Sequence, residues 1–215
     1  MWYGRNEKLR RKSGPDARRS SISLDVHEAD IVMGEDMTRF LIPQTIETAR
    51  LHLRMFTEVD WEPLCQMFRD EECVRYTTMK PLADGQTWRW MAGYLGHWHL
   101  RGYGPYAVVE KQSGRMIGPV GLWYPGDWPE PEIKWSIVRG FWGKGYATEA
   151  ASAVLDMSAR TLHRSRLISL ILPENERSKA VARRLGGEYE KTIRTPFHDG
   201  QAEIFAYRLS EQGET

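Results

Sequence analysis

The 215-residue chain is predicted to form a mixed α+β fold, and three observations lead there. Short stretches with alternating apolar residues mark strands that bury one face, while longer stretches with apolar residues every third or fourth position mark helices. Gly- and Pro-bearing turns separate them. The third observation is order: strand, two helices, three strands, helix, strand, helix, two strands. Hairpins dominate, so the sheet is mostly antiparallel, and one strand–helix–strand crossover places two parallel strands side by side. About seven strands flanked by about four helices are expected.

Each element has a local reason. Ordered structure is expected to begin near Ile46, where Leu51, Leu53 and Met55 alternate with His52, Arg54 and Phe56. Asp60 is placed to cap a helix running to about Arg69, with Pro63 tolerated in its first turn. Asp84 is placed to cap a second helix that turns Trp88, Met91, Leu95 and Trp98 to one face. Tyr106–Glu110 and Met116–Tyr124 form a hairpin around Lys111–Gly114, and Ile133–Val138 is the next strand after a loop marked by Pro125, Gly126, Pro129 and Pro131. A long helix follows from Tyr146 to about His163, with Ala147, Ala150, Val154, Leu155 and Met157 inward. Leu167–Leu172 is a short buried strand, and Ser178–Leu185 is a helix ended by Gly186 and Gly187. Glu188–Arg194 and Ala202–Leu209 close the chain as strands.

The totals narrow the function. Hydrophobic residues make up 41% and charged residues 27%, apolar enough for a core. No apolar run approaches the roughly 20 residues of a membrane-spanning helix, and no secretory signal is visible. Cys65 and Cys73 form neither a disulfide framework nor a zinc knuckle, so a reducing cytoplasm is expected and a metal is not. The formal charge of +1 argues against a dedicated nucleic-acid binder. Seven basic residues against Glu7 and Asp16 give residues 1–21 a net +5, which leaves −4 for the remainder. Residues 1–45 are therefore read as a basic, flexible extension and 46–215 as the functional domain. A chain starting at Met37 keeps every element above, so residues 1–36 are expected to be absent from the native protein.

The chemistry is concentrated in Glu132–Ala150. Gly143 and Gly145 bracket Lys144 where a strand ends and a helix begins. A turn free of Cβ atoms there lets several N–H groups converge at the positive end of a helix, which suits a phosphate or pyrophosphate. Taken alone, the triplet fits a plain surface loop better than a phosphate site. A P-loop fails because Gly145 follows Lys144, and a dinucleotide fingerprint fails because Thr148 stands where its third glycine belongs.

The segment Trp142-Gly-Lys-Gly-Tyr-Ala-Thr-Glu-Ala150 resembles motif A of the GNAT N-acetyltransferases, in the form found among bacterial ribosomal-protein N-terminal acetyltransferases. Glu47–Arg54 resembles the opening strand of that branch, Gly102–Gly118 its central hairpin, and Asn175-Glu-Arg-Ser178 with Leu185-Gly186 its motif B. Two positions depart: Gly140 stands where motif A usually has Gln or Arg, and Gly187 where motif B usually has an aromatic residue.

The resemblance implies direct acetyl transfer from acetyl-CoA, as cosubstrate, to a primary amine through a tetrahedral intermediate. The parallel strands would splay, with pantetheine along the Trp135–Val138 edge and Ile137 and Val138 in contact. An N–H near Val138 would meet the oxyanion. The amides of Gly143, Lys144, Gly145, Tyr146, Ala147 and Thr148 would hold the pyrophosphate. Glu132 is the candidate base, weighed against a solvated strand-end glutamate. Many relatives place a proton-donating tyrosine where this chain has Ala182, so Ser178 is the candidate donor to the thiolate, weighed against a hydroxyl that satisfies backbone donors. Asn175 is expected both to cap its helix and to meet pantetheine.

Trp88, Trp98, Trp123, Trp128 and Trp135 are candidates for an acceptor wall, with Trp123, Tyr124 and Trp128 foremost, and Asp70, Glu71 and Glu72 read as a solvated corner. His97 and His99 diverge on a helix and are no metal pair. The acceptor stays open between a protein N-terminus and a small molecule, with the branch resemblance pointing towards the protein N-terminus. A homodimer is allowed for, a membrane or nucleic-acid partner is not expected, and a catalytically silent acyl-CoA-binding module is the rival function.

Overall fold

The computed structural model describes residues 40–162 and 164–209. Residues 1–39, which include the basic stretch 1–21, most of the expected 1–45 extension and the start at Met37, lie outside the described residues. Packing begins earlier than Ile46: Ile42 is buried in the core, the Leu41 N–H donates to the Gly102 carbonyl (2.7 Å), and Thr45–Glu47 is already a strand.

Eight strands form one sheet in the order β1-β2-β3-β4-β5-β6-β8-β7. They are β1 Thr45–Glu47, β2 Leu51–Arg54, β3 Pro105–Glu110, β4 Arg115–Trp123, β5 Glu132–Trp135, β6 Arg166–Ile171, β7 Glu188–Arg194 and β8 Gln201–Arg208. Every pairing is antiparallel except β5 with β6, the pair the crossover demands. Among the described residues five α-helices accompany them: α1 Trp61–Arg69, α2 Glu71–Val74, α3 Asp84–Arg101, α4 Tyr146–Thr161 and α5 Glu176–Arg184. None is long and apolar enough to cross a membrane.

The sheet separates two apolar clusters. Leu51, Leu53, Val108, Ile117 and Leu122 face α4, which turns Ala150, Ala151, Val154 and Met157 inward. Ala107 and Met116 face Leu64, Met67 and Phe68 of α1, Val74 of α2, and Met91 and Tyr94 of α3. Burying a Leu or Phe of this kind contributes about 1.5–3 kcal/mol, so the two faces hold the frame rigid around the crossover.

Several local expectations change in the fold. Asp60 is the N-cap residue of α1, but its side chain caps no helix N–H: it is buried and accepts from both terminal nitrogens of Arg54 (2.6 and 2.7 Å) and from the Thr57 N–H (2.8 Å). Ala83, not Asp84, is the N-cap of α3, and Asp84 pairs with Arg69. The inner face of α3 is Thr87, Met91, Tyr94, His97 and Trp98, leaving Trp88 exposed. His97 is retained inside because both ring nitrogens are satisfied, Nδ1 by the Tyr103 carbonyl (2.7 Å) and Nε2 by the Tyr124 N–H (2.8 Å). The expected solvated corner at Asp70–Glu72 instead opens α2, with Asp70 accepting from the Glu72 N–H (3.0 Å) and pairing with Arg139 (2.9 Å).

Candidate active site

The parallel pair is where the sheet opens. β5 and β6 share a single registered position, Glu132 opposite Ile168, and then part. Beyond it, side chains replace the ladder: the Ser169 hydroxyl donates to the Ile133 carbonyl (2.6 Å), and the Leu170 N–H donates to Oε1 of Glu132 (3.1 Å). The chain after Trp135 stays bound to β4 through Ser136 N–H to the Pro119 carbonyl (2.9 Å) and Val138 N–H to the Ile117 carbonyl (2.8 Å). Gly118, at φ 142°, permits this approach, since a Cβ there would lie 2.0 Å from the Ser136 carbonyl oxygen. The two strands therefore diverge because one is tied to β4 and the other to β8.

This geometry narrows one expectation. The Val138 N–H is already committed to β4, so it is not the oxyanion donor, and Val138 packs in the α1–α3 cluster. Ile137 lies between the two bonded N–H groups, and strand alternation turns its own N–H the other way, towards the opening. Ile137 lines the large cleft that begins there.

That cleft, about 970 Å³, runs from Ser136 and Ile137 past the motif A loop to α5. Gly143 (φ 74°) and Gly145 (φ 81°) both take the left-handed conformation that glycine adopts without strain. The first intrahelical bond of α4 runs from the Glu149 N–H to the Gly145 carbonyl (3.0 Å), so the N–H groups of Tyr146, Ala147 and Thr148 have no acceptor within the helix. Lys144, Arg177 and Arg184 also line the cleft. Converging amides, a helix N-terminus and three cations suit a polyanion, and the residues present fit the phosphates of CoA. The Tyr146 side chain itself serves the core, donating to Glu110 (3.0 Å).

The loop is held from behind by residues the sequence did not single out. Arg50 donates to the Lys144 carbonyl (2.9 Å) and to Glu149 (2.6 Å), and the Thr48 hydroxyl also donates to Glu149 (2.6 Å). Burial alone would raise the Glu149 carboxyl, but the Thr48 and Arg50 hydrogen bonds outweigh it and hold the carboxyl below its ordinary value. A charged residue next to a strand carries no sequence mark of such a role.

A second, smaller pocket of about 310 Å³ joins the cleft: Tyr76, Thr77, Trp135, Ser136, Asn175 and Ser178 line both. Its walls include Trp90, Trp128, Trp135 and Phe197, with Phe197 stacked on Trp128 at 5.6 Å. Of the expected wall residues, Trp128 and Trp135 are present. Trp98 is core, and Trp123 stands behind the pocket, stacked on His97 at 4.8 Å. Trp90 and Phe197 were missed because α3 and the β7–β8 loop meet only in the folded chain.

Glu132 enters this pocket, and it is not a solvated strand end. It is 6% exposed, and its Oε2 accepts from the Trp128 indole N–H (2.7 Å). Burial pushes its carboxyl above the ordinary value, against the opposing effects of Lys134, Trp128 and the Leu170 N–H. A carboxylate raised towards neutrality is a better-matched proton acceptor at neutral pH. Asn175 caps α5 by accepting from the Ser178 N–H (3.2 Å). The Ser178 hydroxyl makes no hydrogen bond among the described residues and faces the junction of the two cavities.

A parallel pair splayed beside a glycine-rich helix start, with a pocket holding a buried carboxylate at its inner end, defines an acyl-CoA-dependent transferase frame. The sequence model of the acetyltransferase (GNAT) domain matches residues 50–188, and the chain belongs to the GNAT acetyltransferase family, in which acetyl transfer from acetyl-CoA is general. An uncharacterized N-acetyltransferase, p20 of Bacillus licheniformis, is 28% identical over 153 residues, 70% of this chain and 86% of that protein. An acetyltransferase crystal structure from Agrobacterium tumefaciens superposes with a TM-score of 0.69 at 30% identity, covering 78% of this chain and 95% of that one. RimL, a ribosomal L7/L12 α-N-protein acetyltransferase solved with coenzyme A, shares the fold at a TM-score of 0.62 and 18% identity, over 80% of this chain and 99% of that one.

Proposed function

We propose that this protein transfers an acetyl group from acetyl-CoA directly to the primary amine of a small molecule in the cytoplasm. The observation that carries the reading is the meeting of the two cavities at Ser136 and Ser178, with buried Glu132 inside the smaller one. The pocket's size is at the lower end of small-molecule sites, and its walls of Trp90, Trp128, Trp135 and Phe197 are closer to a shaped pocket than to an open peptide groove. That favours a small amine over a protein N-terminus.

The residues divide the work. An amine of pKa about 10.4 arrives protonated, and Glu132 takes that proton, directly or through a water. The freed nitrogen attacks the thioester carbon, forming a C–N bond, while the Ile137 N–H donates to the developing oxyanion. As the C–S bond breaks, Ser178 gives its proton to the sulfur and regains one from the tetrahedral nitrogen. Gly143–Thr148 hold the pyrophosphate through backbone amides, Asn175 meets the pantetheine, and none of these steps needs a metal.

A silent acyl-CoA-binding module would have no use for a buried carboxylate of raised pKa beside the cofactor cleft. The test is a thiol-release assay of purified protein with acetyl-CoA and a panel of small primary amines and N-terminal peptides. Turnover of small amines that Glu132→Gln reduces strongly is the expected result. Tight acetyl-CoA binding with no turnover of any acceptor would defeat the reading.

A further inference from the structure

Lys134 is a basic group of the acceptor pocket that the proposed transfer leaves unused; burial lowers its pKa, and the charge of Glu132 opposes that shift. It stands two residues after Glu132 on β5, and side chains two apart share a strand face, so both enter the same pocket. Its Nζ lies 5.1 Å from the Trp123 ring centre and 5.6 Å from that of Trp90. Ring faces attract the charge of an ammonium but do not accept its three directional N–H bonds. Among the described residues Lys134 forms no ion pair. Glu132 is not in ion-pair contact with it and acts on it only through its charge, while its carboxylate oxygens, which accept from the Leu170 N–H and the Trp128 indole, keep lone pairs for an incoming amine.

A pocket built for a simple cationic amine gains nothing from a half-buried ammonium, since like charges repel most strongly where water is scarce. The arrangement has a use if the acceptor brings a negative group of its own. We infer that the acceptor carries a carboxylate beside its amine, and that Lys134 binds this carboxylate while Glu132 faces the amine. Residues i and i+2 of a strand are about 6.6 Å apart. One or two carbons between amine and carboxylate, with a charge-assisted hydrogen bond at each end, span that separation. The walls of Trp90, Trp128, Trp135 and Phe197 suit an aromatic or apolar body. The acceptor class is thus a free amino acid with such a side chain. This inference rests on the acetyl-transfer reading above, which it narrows.

The test compares matched pairs that differ only in the carboxylate: phenylalanine with phenethylamine, and tryptophan with tryptamine. In the thiol-release assay the wild-type kcat/KM should favour the carboxylated member by roughly ten- to hundredfold, the range for a hydrogen bond to a charged group. Lys134→Met should bring that ratio close to one, mainly through KM, and Lys134→Arg should retain most of it. A binding measurement reads the same contact without turnover: calorimetry of N-acetylphenylalanine against N-acetylphenethylamine in the presence of CoA, with melting temperature as the folding control. A tenfold or greater preference for the carboxylated product that depends on Lys134 supports the inference even if no acceptor is turned over, in which case only the transfer reading fails. Equal or better turnover of the decarboxylated amines overturns the inference and leaves the transfer reading standing. Equal affinity, or no measurable affinity, for both products also overturns it.

Discussion

The cofactor cleft and the acceptor pocket share a wall but are built from different parts of the chain. The cleft is mainly a matter of backbone: one loop, two left-handed glycines and the first turn of α4 within residues 136–149, with α5 and the 72–77 segment closing the sides. The pocket is a matter of side chains delivered from α3, β5, the Pro-rich loop and the β7–β8 loop, which lie far apart in sequence. A backbone site tolerates side-chain change and fails when its φ angles are denied. A side-chain site tolerates small shifts of the backbone and fails when one atom type is exchanged. The two halves of the reaction should therefore respond to different mutations, and that separation can be tested.

The largest expected effect is on the acceptor side. Glu132→Gln should lower kcat/KM by about 10²–10⁴-fold, the usual contribution of a positioned base, while calorimetry finds acetyl-CoA bound as in the wild type. The wild-type rate should rise with pH through the raised Glu132 pKa as the carboxyl loses its proton, and the variant should lack that limb. A pH profile unchanged in the variant would remove Glu132 from the mechanism.

On the cofactor side, replacing Gly143 and Gly145 with Val forces two left-handed positions on β-branched residues, at about 1–3 kcal/mol each. Acetyl-CoA affinity should fall by at least tenfold in calorimetry. Lys144→Met, which leaves the amides in place, should change affinity by less than the glycine pair does. A larger loss from Lys144→Met would show that the cleft depends on its cation and break the distinction between the halves.

Asn175→Ala sits at the boundary and sharpens it. Loss of the cap on the Ser178 N–H should cost about 1 kcal/mol of stability, read as a lower melting temperature, together with weaker cofactor binding. Ser178→Ala should leave the melting temperature unaltered and lower kcat by a smaller factor than Glu132→Gln does.

The smallest effect belongs to the frame. Burial holds the His97 pKa below its ordinary value, so the folded state takes up a proton less readily than the unfolded chain. Stability should be fully present above about pH 6.5 and decline as pH falls from there towards the folded-state value. Thermal melts between neutral and mildly acid pH should show that slope, and His97→Gln should reduce it.

The separation between backbone and side-chain sites also explains what could be read in advance. The crossover was legible because a glycine-rich turn between a strand and a long amphipathic helix is local information, whereas the set Gly143–Thr148 came from the family resemblance. The helix α2 was not legible: four residues carry too little periodicity, and three consecutive acids looked like surface until Asp70 was seen to cap it. On α3 the expected Met91 and Trp98 are on the buried face, but Thr87 and Tyr94 take the inner places expected for Trp88 and Leu95, and His97 joins them because its two hydrogen bonds hold it inside. Arg50 and Thr48 gave no signal, since their partner Glu149 is about a hundred residues away.

By itself the sequence determined the element order, the single parallel pair and the glycine-rich turn, because each depends on residues near one another along the chain; the candidacy of Glu132 came from the family resemblance. Only the tertiary structure decided that Glu132 is buried and doubly hydrogen-bonded, that Ile137 rather than Val138 turns its N–H to the opening, and that Trp90, Phe197 and Lys134 share a pocket with it. Those facts depend on which strand each segment is tied to and on contacts across the sheet. Local periodicity does not encode either one.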